Sequence, residues 1–62
     1  MEIEADFVCA YCGERNFTVV DASAGIQQTY VEDCQVCCRP NLLRVEVDAR
    51  HHAAAINAEV EN

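Results

Sequence analysis

The residues with the clearest chemical potential are the five cysteines. Cys9 and Cys12 are separated by two residues, and so are Cys34 and Cys37. That spacing lets one tight turn aim both sulfurs at a single point while its own backbone N–H groups face the sulfurs and stabilise their negative charge. Two such turns brought together offer four thiolates at about 2.3 Å from a tetrahedral Zn²⁺. Twenty-one residues lie between the pairs, just beyond the usual span for paired C-x2-C motifs. Gly13 follows Cys12 at a turn position where a Cβ is disfavoured. Cys38 occupies the equivalent place after Cys37, so the second turn must tolerate a side chain there.

Tetrahedral sulfur alone does not separate zinc from iron, because two C-x2-C turns also hold a single iron in rubredoxin-like sites. The chain has no aromatic-rich shell of the kind expected around a redox iron, which favours one zinc per chain. A four-thiolate site has no open coordination position, so it points to structure rather than catalysis. Cys9-Ala10-Tyr11-Cys12 alone would also suit a dithiol redox motif, but such motifs need a βαβ setting that the flanking residues do not provide. Cys38 is left over. It reads either as a small buried thiol behind the turn or as a reactive, exchangeable thiol used in metal transfer.

Other chemistry is thin. His51-His52 reads as an exposed turn, and adjacent residues on a strand point opposite ways and do not chelate together. The carboxylates alternate along strand-like segments and form no catalytic pair. No Ser-His-Asp set or phosphate-cradling glycine loop is present, and the chain is expected not to be an enzyme.

The segments that must position the cysteines are strands. Residues 2–8 alternate Ile3, Ala5 and Phe7 with Glu2, Glu4 and Asp6, a period of two. Residues 16–21 are β-branched and aromatic, residues 27–32 give a third strand, and Ala22-Ser23-Ala24-Gly25 between them is turn-like. Pro40 suits the start of a strand rather than its interior. Residues 42–48 give the clearest alternation, Leu43, Val45 and Val47 against Arg44, Glu46 and Asp48. In the tail, Ala53-Ala54-Ala55 has helix propensity. Ile56, Ala58 and Val60 nevertheless alternate with polar residues, which favours a last strand after a turn around 49–53. The layout is a coarse repeat of strand, C-x2-C, strand. It predicts a small all-β fold, a zinc ribbon over residues 1–62 with two knuckles and four or five short antiparallel strands. The expected core is Ile3, Phe7, Phe17, Val19, Tyr30, Leu43, Val45 and Val47.

Size explains why the cysteines matter. The chain has 62 residues, and its hydrophobic fraction of 52% includes nine Ala and five Cys. So small a domain buries a modest share of its surface and usually needs a staple. The N-terminus reads as neither a signal peptide nor a membrane span. A cytoplasmic setting follows as an expectation, and there paired cysteines mean metal more often than disulfides. The net charge of −7, with four scattered arginines and no lysine, argues against nucleic-acid binding and for a basic protein partner; exposed edge strands make a homodimer the alternative.

Cys9-Ala10-Tyr11-Cys12-Gly13-Glu14 and Tyr30-Val31-Glu32-Asp33-Cys34-Gln35-Val36-Cys37-Cys38-Arg39-Pro40 resemble the bacterial CPXCG-motif cysteine-rich proteins, a family of small zinc-ribbon-like proteins. The resemblance spans most of the chain. It implies Cys9, Cys12, Cys34 and Cys37 as metal ligands, in agreement with the spacing, and it places Cys38, Arg39 and Pro40 within the motif. Ala10 stands where the pattern has proline, so the first knuckle is expected to be somewhat looser.

The leading functional expectation is an acidic zinc-stapled β-platform for protein–protein contacts, with edge strands also open to self-pairing. The alternatives are a zinc-handling or thiol-responsive protein using Cys38, and a nucleic-acid accessory ribbon.

Overall fold

The computed structural model describes residues 2–61. Five strands follow in order: β1 (Glu2–Val8), β2 (Arg15–Asp21), β3 (Gln27–Asp33), β4 (Pro40–Asp48) and β5 (Ala53–Val60). One turn of 3₁₀ helix, Ala22–Ala24, lies between β2 and β3, capped by the Asp21 carboxylate accepting the Ser23 N–H at 2.9 Å. All pairing is antiparallel. β1 and β2 make a two-stranded sheet, and β3, β4 and β5 make a second sheet with β4 central. Among the described residues, no helix is long and apolar enough to cross a membrane.

The coarse repeat is a close structural one. Adding 25 to each position of β1 (2–8) gives β3 (27–33), and adding it to β2 (15–21) gives the first seven residues of β4. The registers match as well. Glu2 pairs with Asp21 and Val8 with Arg15; Gln27 pairs with Glu46 and Asp33 with Pro40. The molecule is therefore two equivalent hairpins, each bent around a cysteine knuckle, plus β5 added to the second.

The core lies between the sheets. Ile3, Phe7, Val20, Leu43, Val45 and Val47 are buried, with Ala5, Tyr30, Ala54, Ile56 and Ala58 packed at its margin. Two expected core residues are not there. Phe17 is 69% exposed and Val19 52% exposed, while Asn16 and Val20 are buried. Side chains alternate strictly along a strand, so one inward residue fixes the rest. The inward residue here is Asn16, whose amide serves the cysteine site, and that choice carries Val20 inward and Phe17 and Val19 outward.

β5 forms despite its opening run of three alanines because pairing with β4 and burial override local propensity. Its inward residues, Ala54, Ile56 and Ala58, are mostly small, and β1 packs across them. The turn before it has neither Gly nor Pro. Instead the Asp48 carboxylate accepts the N–H groups of Arg50 (3.1 Å) and His51 (3.3 Å) and contacts His51 Nδ1 at 2.7 Å, and His52 takes the left-handed conformation at φ 52°. The two histidines are exposed there, as the sequence suggests.

Candidate metal centre

Each knuckle is built by the same backbone bonds. In the first, the Cys9 N–H donates to Glu14 O at 2.9 Å and the Gly13 N–H to Cys9 O at 3.1 Å. In the second, the Cys34 N–H donates to Arg39 O and the Cys38 N–H to Cys34 O, both at 3.0 Å. Closing these turns needs a left-handed residue at the fifth position. Gly13 supplies it at φ 78° and Cys38 at φ 64°. The turn amides then face the first sulfur of each pair. Cys9 Sγ accepts from the N–H groups of Tyr11 (3.4 Å) and Cys12 (3.5 Å), and Cys34 Sγ from those of Val36 (3.3 Å) and Cys37 (3.4 Å).

The fold brings all four expected sulfurs together. Cys9 Sγ lies 3.6 Å from Cys37 Sγ, and Cys12 Sγ lies 3.6 Å from Cys34 Sγ. The four ligand atoms lie within 4.8 Å of one another, and no other cluster of His, Cys, Asp or Glu of this kind occurs among the described residues. These separations are far beyond a disulfide bond, and all five cysteines are free. They suit the edges of a tetrahedron, since sulfurs at about 2.3 Å from a zinc ion stand about 3.8 Å apart. The donor set therefore fits one zinc ion.

Sequence reading missed two residues of this site. Asn16 and Asn41 are almost fully buried, and each reaches across to the opposite knuckle. Asn16 Oδ1 accepts the Gln35 N–H at 2.8 Å, and its Nδ2 donates to Cys34 Sγ at 3.5 Å and to Glu14 O at 3.2 Å. Asn41 Oδ1 accepts the Ala10 N–H at 2.8 Å, and its Nδ2 donates to Cys9 Sγ at 3.5 Å and to Arg39 O at 3.2 Å. The signal was present as a second repeat, C-x2-C-x3-N, which begins at both Cys9 and Cys34. Ala10 is part of this arrangement. Ala10 has the N–H that proline lacks and gives it to Asn41 at 2.8 Å, a contact that proline at this position would not allow.

The two sulfurs that receive these bonds differ from the two that do not. Burial opposes ionisation of Cys9, but the Cys12 N–H, the Asn41 amide and the Tyr11 N–H together bring it down to about 6. Cys34 is likewise lowered, first by the Cys37 N–H, then by Val36 and Asn16 against burial. For Cys12 a backbone bond at Glu14 pulls downward, but burial and the neighbouring cysteines prevail and push it up to about 12. Cys37 is raised in the same way against its backbone bond at Arg39. Four negative sulfurs cannot crowd together without a cation. The geometry favours the thiolate at Cys9 and Cys34 and the thiol at Cys12 and Cys37, and an arriving cation reverses the latter preference.

Residues 7–59 match the family model for the bacterial zinc ribbon domain. The chain belongs to the bacterial zinc ribbon domain family. Neither the curated proteins nor the solved structures compared with it gave a match. The resemblance read in the cysteine motifs and this match agree on a zinc ribbon, and the matched residues contain the four-cysteine cluster. Cys38 lies outside the four. It is exposed, which corrects the reading of a thiol buried behind the knuckle. Around the ribbon's knuckles, Tyr11 is held from two sides. Arg39 stacks over its ring at 5.3 Å, and its hydroxyl accepts the Glu61 N–H at 3.2 Å.

Proposed function

We propose that this zinc ribbon is a non-catalytic, cytoplasmic interaction module, in which one structural Zn²⁺ held by Cys9, Cys12, Cys34 and Cys37 fixes an acidic β-platform for a basic protein partner. The observation that carries the reading is the outer face of the β1–β2 hairpin. Glu2, Glu4 and Asp6 stand exposed along β1, and the register sets Glu4 beside Val19 and Asp6 beside Phe17. Exposed apolar side chains bordered mainly by carboxylates, with Arg15 beside Asp6 at one end, support a recognition surface. A closed four-thiolate site supports structure over catalysis.

Three of the four arginines already have partners, which leaves nucleic acid little to bind. Arg15 pairs with Asp6 at 3.6 Å, Arg44 with Glu59 at 2.7 Å, and Arg39 lies over Tyr11. Metal analysis of the natively purified protein tests the zinc assignment: one zinc per chain and a colourless solution are expected, and a red iron protein overturns it. The platform is tested by titrating the loaded protein with a peptide alternating lysine and leucine at low and moderate salt. Binding is expected to weaken with salt and to be lost in the double variant Glu4→Lys, Asp6→Lys. Equal weakening by Glu46→Lys with Glu61→Lys would remove the assignment to this face.

A second reading, zinc handling through Cys38, is favoured by the exposure of that thiol beside the knuckle. It predicts rapid transfer of zinc to a chelator that slows in Cys38→Ser. Transfer at an unchanged rate in that variant eliminates it.

A further inference from the structure

The two hairpins are equivalent, but their surroundings are not. β4 carries β5 along its outer edge, with Leu42 opposite Glu59, Arg44 opposite Asn57 and Glu46 opposite Ala55. The equivalent positions on β2, 25 residues earlier, are Phe17, Val19 and Asp21, and among the described residues β2 has no strand neighbour except β1. The consequence shows in the inner faces. β1, covered by β5, buries Ile3 and Phe7, whereas their equivalents on β3, Gln28 and Glu32, are only half-buried. The fold thus repeats a strand-docking edge and fills it once.

The backbone at that edge faces outward. The Cys9 N–H donates to Glu14 O one step beyond the Val8–Arg15 pair. Antiparallel ladders alternate, so Asn16, Thr18 and Val20 direct their N–H and C=O groups to β1, while Arg15, Phe17, Val19 and Asp21 direct theirs away from it. At one of these, Asp21 O already accepts from Gln28 Nε2 at 2.7 Å, which marks the end of the open stretch.

We infer that the open edge of β2 pairs antiparallel with β2 of a second copy, in a register centred on Thr18, giving a two-fold symmetric dimer with a continuous four-stranded sheet. A second copy is the occupant because the edge is self-complementary. In this register Phe17 faces Val19 of the second copy, and both residues point their backbone groups across the junction, so the two symmetric pairs exchange four hydrogen bonds. Arg15 faces Asp21 of the second copy at both ends. Arg15 is available, since its ion pair with Asp6 is exposed and 3.6 Å long. Asp21 uses only Oδ1 for Ser23 and leaves Oδ2. Opposite charges and an apolar pair directly across an antiparallel junction both favour pairing, and an isologous interface counts each twice. The outer edge of β3 offers no such match, because the equivalent register centred on Tyr30 sets Gln27 against Asp33.

This inference rests on the reading of the domain as an interaction module and extends it. The dimer would place two Phe17 and two Val19 side chains side by side, flanked on both sides by the acidic row of β1.

Sedimentation of the zinc-loaded protein over a wide concentration range tests it. The expected result is reversible association to twice the 6.9 kDa chain mass. Val19→Pro removes an N–H that β1 does not use and is expected to abolish the dimer with zinc content unchanged. Arg15→Asp and Asp21→Arg each set like charges opposite one another and should weaken self-association at least about tenfold. Mixed together, the two variants should recover a heterodimer. A wild-type monomer at millimolar concentration, a Val19→Pro dimer as tight as wild type, or two zinc-loaded charge variants that fail to associate when mixed would each overturn the proposal. If Asp21→Arg does not hold zinc, Val19→Pro and Arg15→Asp decide alone. A monomer that still binds the lysine–leucine peptide through Glu4 and Asp6 removes the dimer and leaves the proposed function. A dimer indifferent to that peptide does the reverse.

Discussion

Asn41 Oδ1 accepts the N–H of Ala10 at 2.8 Å, joining β4 to the opposite knuckle at the position where the CPXCG pattern has proline. Ala10→Pro would restore the pattern and remove the donor, leaving a buried acceptor without its partner. Thermal or denaturant unfolding of the zinc-loaded protein is expected to show a loss of about 1–3 kcal/mol. Asn41→Ala should cost at least as much, because the bond to Cys9 Sγ goes with it, and should lower zinc affinity about 10–100-fold in chelator competition. Full stability in Ala10→Pro would show that the bond is dispensable.

Zinc uptake is coupled to protons in a stated direction. In the metal-free knuckles Cys9 is lowered from 9.0 to about 6, so its thiolate contributes stability at alkaline pH that is lost as pH falls through about 6. Cys12 is raised to about 12, so its protonated form contributes below its ordinary value, a contribution lost only as pH rises toward 12. Near neutral pH, loading should therefore release about two to three protons rather than four, with Cys12 and Cys37 as the main source. Affinity should rise with pH, and its dependence should steepen below about 6, where Cys9 must also be deprotonated. Calorimetry in buffers of different ionisation enthalpy gives the count. Release of four protons would mean that the knuckles are not formed before the metal arrives.

The fifth position of each knuckle makes a paired test. Gly13 sits at φ 78° with no atom within 4 Å of where a Cβ would stand, so Gly13→Ala adds backbone strain and nothing else. A net loss of about 0.5–1 kcal/mol is expected once the lower entropy of the unfolded alanine chain is counted. Cys38, at φ 64°, already carries that strain, and Cys38→Gly should be stabilising by a similar amount. Urea unfolding of the two loaded variants reads both signs.

Neighbouring valines on β2 should differ sharply. Val20→Ala empties part of the core and is expected to cost about 2 kcal/mol. Val19→Ala should fall within about 0.5 kcal/mol of wild type under dilute conditions, since Val19 faces outward. Equal losses would contradict the facing assigned to β2.

The sequence was most readable where one signal was unambiguous. Ile3 and Phe7 alternate with acids, Leu43, Val45 and Val47 with charged residues of both signs, and both strands face as their patterns imply. The cysteine spacing located the site because few other arrangements use two such pairs. β2 failed for a physical reason. Val19 and Val20 are adjacent and equally apolar, so hydrophobicity cannot choose between them. The choice was made by Asn16, a polar residue that a search for apolar periodicity passes over. The same preference hid Asn41 as the inward residue next to Pro40. Only their common offset from the cysteines, four residues after Cys12 and after Cys37, marks them in the sequence.

The crossed asparagines also impose an order in time. A chain made from its N-terminus presents Cys9 and Cys12 long before Asn41, which lies 32 residues beyond Cys9 in the bond that joins them. Until that residue emerges, the Ala10 N–H and the Cys9 sulfur lack their buried partner, and the first knuckle is an open chelate rather than a site. Closure requires contacts distant in sequence, which form late. The metal centre is therefore completed only after residue 41 has been made, and a shorter nascent chain exposes thiols that the folded domain holds in place.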